Sequence, residues 1–161
     1  MAYINTSGIA GAQPIATTDT VQNHPLGKIV TAKDPTYGEG EFIYLKGASS
    51  TAVGSWVTYN MDDGTTTLLV PNAIGPVAVA MSANSSTSNY GWYQIQGKAI
   101  ANAADVADNA KVYIDTAAGR CDDAVVAGDK VHNAKWASAE DTATNLAEVE
   151  IARPFCTDES T

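Results

Sequence analysis

Two histidines, His24 and His132, and two cysteines, Cys121 and Cys156, are the first side chains to consider for proton transfer, nucleophilic attack or soft-metal binding. Neither histidine stands at a metal-ligand spacing. His24 lies beside Pro25 in a linker and His132 in a late loop, so both read as surface residues. The cysteines form no Cys-x-x-Cys pair and are too few for a disulfide framework; they read as free thiols of a protein made in a reducing compartment. No Gly-x-Ser-x-Gly, glycine-rich phosphate loop or His-Glu-x-x-His occurs. The expectation is therefore no enzyme, no cofactor and no metal.

The carboxylates lead to the same place. Asp62-Asp63-Gly64 resembles part of a calcium loop but lacks the third ligand and the closing glutamate, and Asp-Gly between two β runs is first of all a hairpin turn. Asp122 and Asp123, with Asp129 nearby, read as solvated loop carboxylates. Adjacent Trp92 and Tyr93 would point to opposite faces of a strand. They make no stacking platform, and one of them is expected to anchor a core.

These residues must be positioned by a small-residue β framework. The chain is 45% hydrophobic and only 17% charged, with 27 alanines, a composition too apolar for disorder throughout and too poor in charge for a long solvated helix. Lys and Arg number 9 against 18 Asp and Glu, a net charge of −9, and the cations are scattered singly. Nucleic acid and anionic membranes are thus disfavoured as partners. No apolar run is long enough to cross a membrane, and the first residues do not have the form of a secretory signal.

From Lys28 onward, short β-type runs alternate with turn signals every 8 to 15 residues. Val77, Val79 and Met81 alternate with Ala78 and Ala80, and Val149 and Ile151 with Glu148 and Glu150. This period of two predicts an all-β, mainly antiparallel fold, a small barrel or sandwich. Residues 101–110 read as a turn or single helical turn, 129–146 as a loop with one short strand at 134–138, and the closing strand ends before Pro154. Residues 27–156 form the β domain and 157–161 an acidic tail. Residues 1–26 lack either period and read as an extended arm whose spaced apolar residues Tyr3, Ile4, Ile9, Ile15 and Val21 would contact another surface.

The run Asn89-Tyr-Gly-Trp-Tyr-Gln-Ile-Gln-Gly-Lys-Ala-Ile-Ala, preceded by Ile74-Gly-Pro-Val-Ala-Val-Ala, carries a resemblance. Asn109-Ala-Lys-Val-Tyr-Ile, Ala117-Ala-Gly-Arg and Ala147-Glu-Val-Glu-Ile follow it. In strand order and small-residue content, residues 38–153 are similar to a family of tailed-bacteriophage head proteins, the capsid decoration or cement proteins. The resemblance implies a structural virion protein, made in the host cytoplasm and bound to the outer surface of the capsid, where it stabilises the head by bridging major capsid subunits. It also implies a homotrimer, and the alanines Ala78, Ala80, Ala99 and Ala101 are its expected subunit interface. The alternative is a receptor- or glycan-binding β module of a phage head or fibre, with Tyr90 and His132 as its loop anchors.

Overall fold

The computed structural model describes residues 4–5 and 14–159. Among these there is no helix. The strands are β1 (Ile4–Asn5), β2 (Ile29–Asp34), β3 (Gly38–Lys46), β4 (Trp56–Tyr59), β5 (Thr66–Leu68), β6 (Ile74–Ala80), β7 (Tyr90–Ala104), β8 (Lys111–Ile114), β9 (Cys121–Asp122), β10 (Lys130–Trp136) and β11 (Leu146–Thr157). They form one sheet in the order β1-β2-β3-β7-β9-β8-β10-β11-β6-β4-β5. Every pairing between these strands is antiparallel except β7 with β9, so the sheet is mixed but mostly antiparallel.

It is not a clean barrel. Additional pairings of β7 with β11 and β6 fold the sheet back on itself, so β7, β9, β8, β10 and β11 close a ring while β1 and β5 remain outer strands. The 15-residue β7 makes this possible by changing partners. Up to Gln96 it pairs with β3, and from Gln96 to Asn102 with β11. Gly97 stands at the changeover with φ of +98°, and a Cβ there would lie 2.6 Å from the Glu39 carbonyl oxygen. Only glycine combines that backbone with that approach.

Three apolar clusters follow from the alternation along β7. Trp92 points to one face with Val30, Phe42, Tyr44 and Ile15, while Tyr93 and Ile95 point to the other with Ile43, Leu45, Val57, Ala78 and Ala80. Both aromatic residues are therefore buried, where one was expected. Past Gly97, Ala99, Ala101 and Ala103 line the ring interior with Trp56 and Trp136. The indoles meet edge to face at 6.0 Å between centroids, and their Nε1–H groups donate to the carbonyls of Asn102 and Asp122. The alanine row leaves room for two indoles, as large and small side chains interdigitate in a dense core.

Several local expectations are corrected. Residues 101–104 continue β7, because alternate alanines there are buried, and burial at period two overrides the helical preference of alanine. The expected short strand at 134–138 is the full strand β10, paired with both β8 and β11. β11 runs through Pro154 to Thr157. The proline falls at a register shift, between the pairs Ala134–Ile151 and His132–Phe155, where its missing N–H breaks no regular ladder.

Candidate functional site

Of the proposed arm contacts, Tyr3 and Ile9 lie outside the described residues. Ile4 sits in β1, paired with Lys33 of β2. Val21 is exposed, but Ile15 is 3% exposed and packs against the cluster of Phe42, Tyr44 and Trp92. Thr18 donates to the Ala83 carbonyl, and Asp19 bridges to Tyr90. Residues 14–26 thus lie on β3 and β7, and Ile15 has no side-chain surface left for another protein. The expectation that Ile15 contacts another surface is corrected there.

The expected subunit-interface alanines are also inside the chain. Ala78, Ala80, Ala99 and Ala101 are each at most 1% exposed. β6 is covered on both faces, with Val77 and Val79 in the ring core and Ala78 and Ala80 in the second cluster, while Ala99 and Ala101 face the ring interior and Lys98 and Ile100 on the other side of β7 are half-buried.

Among the described residues the titratable groups are dispersed over the fold. His24, expected at the surface, is half-buried, its ring 5.1 Å from Tyr44 and 5.3 Å from Trp92. His132 lies with Nε2 3.3 Å from the Thr157 hydroxyl. Burial opposes ionisation of Asp115, but hydrogen bonds from Arg120 and from the Thr116 N–H outweigh it and hold its carboxyl below the ordinary value. Burial, reinforced by Asp115, pushes Asp122 up. Asp129, expected to be solvated, is buried and accepts the Asn72 N–H at 2.7 Å. Among the described residues no three His, Cys, Asp or Glu side chains are placed to hold a metal ion. Asp62-Asp63-Gly64 forms the β4–β5 hairpin turn, with Asp63 capping Thr65.

Alternation also leaves one apolar surface uncovered. Along the end of β11, Cys156 points into the ring core while Phe155 points out. Phe155 stands opposite Pro76 of β6 on one side and His132 of β10 on the other; Thr157 stands opposite Ile74. Cross-strand partners share a face. The row His132, Phe155 and Pro76 therefore crosses three strands on one outward surface. Ile74 and Pro76 border a hollow with Tyr59 and Met61 at the β4–β5 hairpin, and His132 and Thr157 border another with Val125 and Val126. Of nine large apolar side chains exposed among the described residues, five belong to this surface: Met61, Ile74, Val125, Val126 and Phe155. Clustering of this kind is a feature of interaction surfaces, whereas scattered exposed apolar residues would need no explanation.

Charge frames it. Asp62 and Asp63 follow Met61, and Asp158 and Glu159 follow Thr157; Lys130 lies beside Glu159, and Lys46 acts on Asp63. Arg153 acts on Tyr59 of the first hollow, so the rim carries four carboxylates against three cations. Sequence reasoning did not find this surface. Its signal was Phe155 between the inward Pro154 and Cys156, hidden by placing the end of the strand before Pro154.

Comparison with protein-family models, with curated proteins and with solved structures finds no match.

Proposed function

We propose that the protein is a capsid decoration protein of a tailed bacteriophage, made in the host cytoplasm, that binds the outer surface of the head and stabilises it by bridging major capsid subunits. The observation that carries this reading is the acid-rimmed apolar face of Ile74, Phe155, Met61, Val125 and Val126 on an otherwise self-contained β domain. Its three buried apolar clusters support a rigid fold. The occupant proposed for the face is the major capsid protein, offering an apolar patch with a basic rim. A second copy of this chain fits less well, because an isologous contact would bring two acidic rims together on molecules that each carry −9.

The mechanism is linkage. A protein that binds assembled capsomers and not free subunits stabilises the shell by mass action, and many copies make modest individual contacts sufficient. The compact β fold supports the reading over residues 38–153, the span of the resemblance. The resemblance also places the copies as homotrimers at local threefold positions. The four buried alanines are not available as their contacts, so those must come from elsewhere on the surface.

The test is cosedimentation with mature shells assembled from a tailed-bacteriophage major capsid protein whose genome also encodes this chain. Wild-type protein is expected to saturate the shells and raise their disruption temperature. Phe155→Asp and Ile74→Asp, both at exposed positions, should keep the melting temperature within about 2 °C and lose binding at least about tenfold. Wild-type protein that ignores the shells overturns the reading. Concentration-dependent self-association abolished by the same two variants would assign the face to a second copy instead.

A further inference from the structure

We propose that a cleft between β2, β7 and β11 is a binding site for an organic cation, a guanidinium or primary ammonium on a short apolar stem, with Asp34 as its anion. This site is separate from the apolar face and does not depend on the capsid reading. The cleft has a volume of about 600 Å³. Phe42, Met81 and Leu146 supply its apolar lining, and Asp34, Asp141 and Glu148 supply carboxylates.

Asp34 is the decisive residue. It is 3% exposed. Its Oδ1 accepts the backbone N–H groups of Thr36 at 2.6 Å and Tyr37 at 2.9 Å, which fixes the carboxylate in place. Among the described residues its enclosed Oδ2 has no hydrogen-bond partner. A buried carboxylate oxygen without a donor is costly, whereas a charge-assisted N–H bond in such surroundings is strong.

The neighbours do not supply that donor. Lys98, the cation lining the cleft, is paired with Glu148. The Gln94 amide donates to the carbonyls of Gln96 and Lys98, at 3.0 Å each. Tyr37, also on the cleft wall, is held above the ordinary phenol value by burial and then by Glu148 and Asp34, with Lys98 opposing; Asp34, Asp141 and Glu148 against Lys98 make the lining acidic. An apolar lining with one fixed, unpartnered carboxylate oxygen matches a cation that carries both a stem and a directional N–H. A bare metal ion would need more oxygen ligands than Asp34 offers.

The test is an amide-resolved NMR titration of the full chain with n-butylguanidinium, using neutral n-butylurea as the isosteric control. Butylguanidinium should shift the amides of Tyr37, Gly38 and Met81 and saturate in the millimolar range, while butylurea at equal concentration leaves them in place. Asp34→Asn keeps the Oδ1 acceptor and should weaken binding at least about tenfold. Asp141→Asn removes the same charge from the cleft wall and should change binding less than about threefold. A parallel titration with N-acetyl-arginine methylamide identifies the source: binding of both probes indicates a side chain of a partner protein, binding of butylguanidinium alone a free cation. Absence of cleft shifts at about 50 mM, equal binding of butylurea, or unchanged binding by folded Asp34→Asn overturns the proposal. If Asp34→Asn does not fold, the comparison of guanidinium with urea on the wild-type chain still decides it.

Discussion

The phenolic hydroxyl of Tyr44 donates to the carboxylate of Asp19 at 2.7 Å, tying the segment before β2 to the second half of β3. Tyr44 is fully buried, and its ring stacks near Tyr90 and tilts against Trp92. The Asn23 N–H also reaches the same hydroxyl, at 3.3 Å. One side chain thus holds two points of a segment that has no strand of its own between Pro14 and Leu26.

Loosening that tie should be visible locally. Tyr44→Phe is expected to cost about 1.5–3 kcal/mol, the value of a hydrogen bond to a charged group, and Ile15→Ala about 2–5 kcal/mol. Limited proteolysis should then cut between residues 15 and 26 before the β domain opens. Unchanged melting and unchanged cleavage in both variants would show that the segment contributes nothing to the fold.

The Trp56–Trp136 contact is the centre of the ring core. Trp136→Ala removes an indole with no exposed surface and frees the Asp122 carbonyl, so a loss of about 3–5 kcal/mol is expected by denaturant unfolding. Trp136→Phe keeps much of the volume but leaves that carbonyl unpaired, and should fall between wild type and the alanine variant. A phenylalanine variant as unstable as the alanine one would mean that the hydrogen bond outweighs the packing.

Gly97→Ala should be among the most damaging single-atom additions. The left-handed backbone costs an alanine about 1–3 kcal/mol, and the new Cβ would also press on the Glu39 carbonyl and the Gly40 Cα. Hydrogen exchange is expected to quicken first in β3 and the first half of β7, because the changeover of partners occurs there. Gly38→Ala provides the control, since its φ is also positive but nothing lies within 4 Å of its added Cβ.

The thiols should be silent in the folded protein. Burial pushes Cys156 up to about 11 and Cys121 well above its ordinary value. At pH 8 a thiol with a value near 11 is ionised on the order of one part in a thousand. Ellman's reagent should therefore label neither cysteine until the chain is unfolded, when both react. The sign of the pH dependence follows. Between about 9 and about 11 the native state keeps the Cys156 proton that the unfolded chain has lost, so stability is fully present below 9 and declines as pH rises through that window. Denaturant midpoints at pH 8, 9.5 and 11 should fall in that order, and Cys156→Ala should flatten the decline.

Much of this architecture was legible in the residues alone. Alternation of Val77 and Val79 with Ala78 and Ala80, the turn at Asp62-Asp63-Gly64, and the length of the run through Trp92 all follow from local geometry, because side chains in a strand alternate and Asp-Gly suits a hairpin turn. The acidic balance was equally plain. What periodicity cannot say is what lies across from each face. Ala78 and Ala101 looked like surfaces for a second subunit, but the sheet folds back on itself and the alanines meet indoles and aliphatic side chains of the same chain. The partner change at Gly97, the passage of β11 through Pro154, and the burial of Ile15 depend on contacts between residues far apart in sequence. So does the outward face of Ile74 and Phe155. Local preference sets which residues alternate; only the pairing of distant strands decides which of the two sides is covered.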